Sequence, residues 1–209
     1  MSKLELQSCV IGSVGTNCYF LKNKETSEMV IIDPPDQAVR ISQKVNEMGG
    51  KPVAILLTHG HFDHILAAEE LRETYGIKIY ATVYERKHLA NAAMNLSGFA
   101  GKAISLEADE ELDDLDVFEL AGFDIQVIHT PGHTPGSCCY YLKDEDVLFS
   151  GDTLFCGSAG RTDFPGGSMQ ELQNSLNRLV ESLPEETKVY PGHEAPTTIG
   201  YEKRYNPFV

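Results

Sequence analysis

Thr58-His59-Gly60-His61-Phe62-Asp63-His64 follows directly on the apolar run Val53-Ala54-Ile55-Leu56-Leu57. Three histidines and an aspartate thus fall within six residues at the end of a strand. Imidazole nitrogen and carboxylate oxygen are the donors that a borderline-soft divalent cation such as zinc accepts. In an extended turn, His59 and His61 point to the same side, while Asp63 and His64 open the next element. An apolar run without alternation is buried on both faces, so the sheet it belongs to is covered on both sides.

Three further stretches repeat this local pattern. Ile125-Gln126-Val127-Ile128 runs into His129-Thr130-Pro131-Gly132-His133, Val147-Leu148-Phe149 into Ser150-Gly151-Asp152, and Val189-Tyr190 into Pro191-Gly192-His193. In each, a strand gives way to a loop with glycine or proline, and a ligand-type residue sits at the turn. Strand ends in α/β proteins are where sites are built. Five of the seven histidines, His59, His61, His64, His133 and His193, lie on this pattern, and Asp63 and Asp152 complete seven candidate ligands. One tetrahedral ion needs about four ligands. Seven suit two ions about 3.5–4 Å apart that share a carboxylate. A purely structural metal site would close on four ligands and leave the others unexplained.

Around these points the chain reads as strands interleaved with a few helices. Strands are expected at Leu4–Ile11, Cys18–Leu21, Met29–Ile32, Lys78–Ala81, Phe118–Leu120, Phe123–Ile128, Cys138–Leu142, Val147–Phe149 and Lys188–Tyr190. Asp36 reads as the N-cap of a helix over Gln37–Met48 that stops at Gly49-Gly50. Helices are also expected over Ile65–Tyr75 and Tyr84–Leu96, and from the capping box Ser168-Met169-Gln170-Glu171 to about Ser182. Helices spread among strands imply sheets with helices packed outside rather than an all-β barrel.

The 209 residues carry no linker or repeat and read as a single domain, 1–209. Net charge is −14, from 17 basic and 31 acidic residues, which disfavours nucleic acid and anionic membrane as partners. The N-terminal stretch has no apolar run of signal-peptide length. Five cysteines without a CxxC pair fit a reducing, cytoplasmic setting better than a disulfide framework. Cys138 and Cys139, adjacent in a strand, should face opposite ways. His129 reads as a satisfied strand-end histidine, His88 as part of a solvated helix face and Cys156 as a buried small residue. Thr58 and Thr130 either bond to ligand side chains or simply end strands.

The set His59-x-His61-x-Asp63-His64 with His133, Asp152 and His193 resembles the metallo-β-lactamase superfamily, from about Asn17 to the C-terminus. The resemblance implies an α/β fold, the αββα four-layer sandwich, with metals at one edge between the sheets. It implies that His59, His61 and His133 hold a first ion, that Asp63, His64 and His193 hold a second, and that Asp152 bridges them. The ions would be zinc, with iron or manganese as alternatives.

Gly132-His133-Thr134-Pro135-Gly136-Ser137, Gly151-Asp152-Thr153-Leu154-Phe155 and the tail Thr197–Phe208 are similar to the glyoxalase II-like branch, the short bacterial hydroxyacylglutathione hydrolase-like proteins. The implied activity is hydrolysis of a small acyl thioester by a water held between the ions, with Asp63 and Asp152 as catalytic carboxylates. True β-lactamases are disfavoured, since they usually carry cysteine at the position of Asp152 and are exported. The nuclease branches are disfavoured by charge, and the flavodiiron branch carries glutamate at the position of His61. Glyoxalase II proper has a C-terminal helical domain that helps grip glutathione; with Val209 so soon after His193, that domain is expected to be missing. A lysine and a tyrosine that contact glutathione there stand as Arg161 and Asp163 here, so the cation is kept as a substrate-binding candidate. Gly160-Arg161-Thr162-Asp163-Phe164 also resembles the persulfide dioxygenases, which use one iron in the same fold.

Overall fold

A computed structural model describes residues 2–209. Six strands form the first sheet in chain order: β1 (Leu4–Ile11), β2 (Thr16–Asn23), β3 (Glu28–Ile32), β4 (Lys51–Leu56), β5 (Lys78–Thr82) and β6 (Glu110–Leu112). Its first two pairings are antiparallel and the next three parallel. The second sheet contains β7 (Val117–Leu120), β8 (Phe123–His129), β9 (Cys138–Leu142) and β10 (Val147–Gly151). After the short hairpin β11 (Leu154–Phe155) and β12 (Ser158–Ala159) it adds β13 (Lys188–Pro191) and β14 (Thr197–Thr198). Its order is β14-β13-β10-β9-β8-β7, antiparallel except for β10 against β13.

The helices are α1 (Ala38–Glu47), α2 (Phe62–Ile65), α3 (Ala68–Tyr75), α4 (Arg86–Leu89), α5 (Met169–Ser182) and α6 (Ile199–Tyr205). Helix α5 is the crossover that allows β13 to run parallel to β10, since two parallel strands cannot be joined by a tight turn.

Strand alternation builds three cores and hence four layers. From β2, Cys18 and Phe20 face outward to Ile41 and Val45 of α1 and Leu71 of α3, while Tyr19 and Leu21 face inward. The inward residues meet Ile125, Val127, Cys138, Tyr140 and Phe149 of the second sheet. That sheet turns Cys139, Tyr141 and Leu148 outward onto Leu172, Leu176 and Leu179 of α5 and Ile199 of α6. Cys138 and Cys139 thus lie in different cores, and every cysteine among the described residues is free. The architecture is the expected αββα sandwich.

Several local expectations need correction. Asp36 does not cap α1: the chain enters through Gln37 at φ 55 with no side-chain cap, and the Asp36 carboxylate accepts from the Gln37 N–H at 2.7 Å. The helix expected over Ile65–Tyr75 begins earlier, at Phe62, and is broken around Leu66-Ala67 into α2 and α3. The expected Tyr84–Leu96 helix ends at Leu89, where the buried Asn95 amide takes the carbonyls of Leu89 and Ile104, both at 3.1 Å, and folds the segment into turns. Ser168 caps α5 as read, accepting from the Glu171 N–H at 3.3 Å. Thr198 caps α6, a helix the sequence reading did not resolve. Among the described residues, no helix is long and apolar enough to cross a membrane.

Candidate metal centre

The ends of β4, β8, β10 and β13 converge at one edge of the interface between the two sheets. The loop after β4 carries His59 and His61, and α2 presents Asp63 and His64 one turn further on. His133 arrives from the turn after β8, Asp152 from the end of β10 and His193 from the loop after β13. All seven candidate residues are brought together. Their donor atoms form three overlapping groups, each within 4.8 Å: His59, His61 and His133; His59, His64 and Asp152; Asp63, His64 and His193.

Asp152 sits in the middle. Its Oδ1 lies 3.4 Å from His64 Nε2, and its Oδ2 lies 3.6 Å from His133 Nε2 and 3.5 Å from His193 Nε2. Asp63 Oδ2 is 3.3 Å from His193 Nε2 and 3.6 Å from His64 Nε2. His61 Nδ1 and His133 Nε2 face each other at 2.8 Å. Two glycines make the convergence possible. A Cβ on Gly192 would collide with the Asp152 carboxylate and the His64 ring. Gly151 adopts φ +49, and a Cβ there would strike Thr58.

The surrounding hydrogen bonds aim the rings. His64 Nδ1 donates to Asp33 Oδ2 at 3.0 Å, and His133 Nδ1 donates to the Arg161 carbonyl at 2.7 Å, so both Nε2 atoms point into the cluster. Thr58 donates to Asp33 from its N–H (2.8 Å) and its hydroxyl (2.6 Å), leaving the hydroxyl oxygen to accept from His59 Nδ1 at 3.2 Å. In its neutral form, a ring whose Nδ1 is engaged in this way carries its lone pair on Nε2. Thr16 Oγ1 donates to Asp63 Oδ2 at 3.2 Å.

Five buried side-chain polar atoms lack a partner among the described residues: His59 Nε2, His61 Nε2, His64 Nε2, Asp152 Oδ1 and Thr187 Oγ1. Four of the five belong to this cluster. Buried polar atoms are otherwise almost always paired, and lone pairs concentrated at one point fit divalent metal. The electrostatics agree. Burial and neighbouring imidazoles hold His59 far below the usual histidine range and push His61 down to about 3, so both are neutral donors. Burial alone would lower His64, but Asp152, Asp63 and Asp33 outweigh it and hold it at about 9. His193 is likewise raised to about 10 by Asp152 and Asp63 against its burial. The carboxylates of Asp63 and Asp152 are lowered by the same imidazoles despite burial. Positive charge is thus stabilised between the carboxylates.

A sequence model of the metallo-beta-lactamase superfamily matches residues 11–193. The chain belongs to that superfamily. The hydroxyacylglutathione hydrolase GloC of Haemophilus influenzae is 35% identical over 199 residues, 92% of each chain. The solved BLEG-1 B3 metallo-beta-lactamase superposes with a TM-score of 0.92 at 41% identity, covering 98% of this chain and 99% of that one. TTHA1623, solved in a di-iron-bound form, gives 0.86 at 36%, covering 97% and 100%. ETHE1 from Myxococcus xanthus gives 0.81 at 32%, covering 97% and 83%. The expectation that set β-lactamases aside therefore meets a similar protein that bears that name. At the level these likenesses share, the chain is a metal-dependent enzyme of the metallo-hydrolase superfamily, with a His/Asp divalent-metal site and a small-molecule substrate.

Sequence reading missed two carboxylates that shape the centre. Asp33 is buried beneath His64 and Thr58. It follows the Met29–Ile32 strand directly, the same strand-end signal as the ligands. Glu85 is buried and accepts from the Gly60 N–H at 2.7 Å, the Gly136 N–H at 2.8 Å and the Thr134 hydroxyl at 2.9 Å. It ties the His59–His61 loop to the His133 loop, and nothing local in the sequence marks it.

The minor suspects resolve as follows. His88 is buried rather than solvated, with Nε2 3.0 Å from the Pro165 carbonyl, because the Phe164–Gly167 turn folds over it. His129 ends its strand as read: it bonds through Nε2 to the Pro135 carbonyl at 2.8 Å and stacks on Tyr84. Cys156 is half-buried, not buried. Thr130 bonds to Thr153 at 2.8 Å and not to a ligand ring.

Asp33→Ala should lower metal affinity by about 10- to 100-fold, the usual effect of removing the partner that orients a ligating histidine. Titration of metal-depleted protein with zinc checks this. An affinity equal to wild type would mean that Asp33 does not orient His64.

Proposed function

We propose that the chain is a two-metal hydrolase of acyl thioesters. The observation that carries this is the position of Asp152 between His133, His64 and His193, which suits a carboxylate shared by two ions. His59, His61 and His133 would hold one ion, Asp63, His64 and His193 the other, and Asp152 both, with zinc as the metal and iron or manganese as alternatives. When bound, such ions lower the pKa of a coordinated water toward 7 and polarise a carbonyl.

The chain's own residues do the rest. Asp63, steadied by Thr16, orients the attacking water and takes up its hydrogen bond. The buried histidines and Tyr19, Phe149 and Leu56 behind them keep the inner wall of the site dry, which strengthens each charge interaction there. The leaving group is a thiolate whose parent thiol has a pKa of about 8.5, so no general acid is needed to expel it. GloC is named for this chemistry, and its likeness spans the whole site-bearing region. In this reading residues 1–209 form one domain, and the free thiols favour the cytoplasm.

Arg161 lies on the rim of the 670 Å³ cavity that opens over the cluster. Its guanidinium forks onto Asp163 at 2.6 and 2.7 Å and lies 4.0 Å from the centroid of the Phe164 ring. Both partners are more than half exposed, so solvent screens the pair, and a substrate carboxylate competes with Asp163 for the same fork. If Arg161 binds substrate, Arg161→Ala raises KM for an anionic thioester by about two- to fivefold with kcat little changed, and Asp163→Asn lowers it. Equal losses on neutral and anionic thioesters would assign Arg161 to the loop alone.

The alternative is a mononuclear-iron persulfide dioxygenase. What favours it is the Gly160–Phe164 segment, whose Arg161 carbonyl accepts from His133. Elemental analysis of gently purified protein, together with a panel of acyl thioesters, a β-lactam and a persulfide, tests the proposal. Two ions per chain with thioester turnover are expected. One iron per chain with oxygen uptake on the persulfide, or preferential β-lactam cleavage, would overturn it.

A further inference from the structure

Beside the cavity over the metal cluster lies a second hollow of about 460 Å³, lined by Phe62, Leu96, Phe99, Ala100, Phe164 and Pro165. Every lining residue is apolar. Phe62, Leu96 and Phe164 line both spaces, so the two adjoin across these three side chains. Phe164 also packs edge-on against the ligand-type His61, with ring centroids 5.7 Å apart. Phe164 thus stands between the cluster and the hollow.

The hollow is held in shape rather than left to a loose loop. Leu96 takes φ +64, a left-handed conformation that side-chain-bearing residues rarely adopt and that persists only where the surroundings impose it. Here the surroundings are the buried Asn95. Its amide donates to the carbonyls of Leu89 and Ile104, its Oδ1 accepts from the Ser97 N–H at 2.9 Å, and its carbonyl accepts from the Phe62 N–H at 2.8 Å. The Leu96 loop is thereby fixed to the start of α2, which carries Asp63 and His64. Phe99, 84% exposed, extends the apolar lining out to the surface. No charged residue lines the hollow, and Arg161 at its edge is paired with Asp163.

We propose that this hollow seats an apolar acyl arm, so that the preferred substrates are thioesters of medium-length alkyl or aryl acids rather than of short hydroxy acids. The inference rests on the thioesterase reading for its chemistry and on the hollow for its specificity. The acyl carbonyl lies over the cluster, and its hydrocarbon extends past Phe164 onto Phe62, Leu96 and Phe99. The thiol carrier is left in the wider cavity on the Arg161 side.

The test uses metal-loaded protein and N-acetylcysteamine thioesters from acetyl to octanoyl, which share one neutral thiol. Burial of each added methylene should raise kcat/KM about two- to fourfold until the hollow is filled. Phe99→Ser, at an exposed position, should flatten the octanoyl-to-acetyl ratio toward one. In parallel, calorimetry compares binding of the S-octyl and S-ethyl thioethers of the same thiol, which cannot be hydrolysed. Tighter octyl binding that Phe99→Ser abolishes is expected. Thioester turnover with no dependence on chain length would overturn the acyl-arm assignment and leave the thioesterase standing. No turnover of any thioester, with octyl preference intact, would overturn the thioesterase reading and leave the hollow as an apolar binding seat. No turnover and no preference would overturn both.

Discussion

Asp152→Ala is expected to cut thioester turnover by more than 100-fold and to strip metal from the purified protein. Loss of a partner one shell out from a metal already costs about 10- to 100-fold, and Asp152 faces three ligand-type imidazoles itself. In the two-metal reading, its removal would deprive both ions of a ligand and take away the negative charge that screens them from each other. His193→Ala, at the more exposed edge of the cluster, should cost less and spare the group formed by His59, His61 and His133. Elemental analysis and turnover measured on the same preparations give the comparison. Full occupancy and wild-type rate in Asp152→Ala would end the bridging assignment.

The second large effect is one of stability. Glu85→Ala leaves the Gly60 and Gly136 N–H groups buried without their acceptor, while the Thr134 hydroxyl loses one bond and keeps Ser137 Oγ at 2.8 Å. An unsatisfied buried donor costs about 1–3 kcal/mol, less whatever water can enter to satisfy. Two of them, together with the lost Thr134 bond, should cost roughly 3–5 kcal/mol. For a chain of this size, each kcal/mol lowers Tm by about 2–4 °C, so a fall of about 6–20 °C is expected in thermal unfolding of the holoprotein. Glu85→Gln should recover only part of it, since its amide turns an NH2 toward one of the same donors. A Tm within about 2 °C of wild type for Glu85→Ala would show that the two loops hold together without this carboxylate.

The ligand-type residues were legible because each stands where an apolar strand meets glycine or proline, a junction that local pattern reveals. That the first sheet is covered on both faces was legible for a related reason, since Val53–Leu57 has no polar face; the four layers themselves came from the family resemblance. What stayed hidden depends on contacts far apart in sequence. The apolar spacing from Tyr84 to Leu96 is helical, yet the Asn95 amide satisfies backbone carbonyls that a helix would have used. His88 looked solvated among its basic neighbours because the turn that buries it lies 77 residues further on. Glu85 bridges to residues 25 and about 50 positions away, and such a partnership leaves no trace in its own neighbourhood.

The strand order carries a consequence for how the protein is made. The residues of the cluster lie at the ends of strands contributed in sequence by β4, β8, β10 and, last of these, β13, which adds to the edge of β10 before β14 is made. On a growing chain His59, His61 and His133 are present together before Asp152 has been added, and His193 emerges only after α5 has crossed over. The first histidine group is therefore complete while the second still lacks its final member. In the two-metal reading, a nascent chain can capture one ion early and must wait for β13 to hold two, so the order of translation would give the two positions different histories even though one carboxylate would join them.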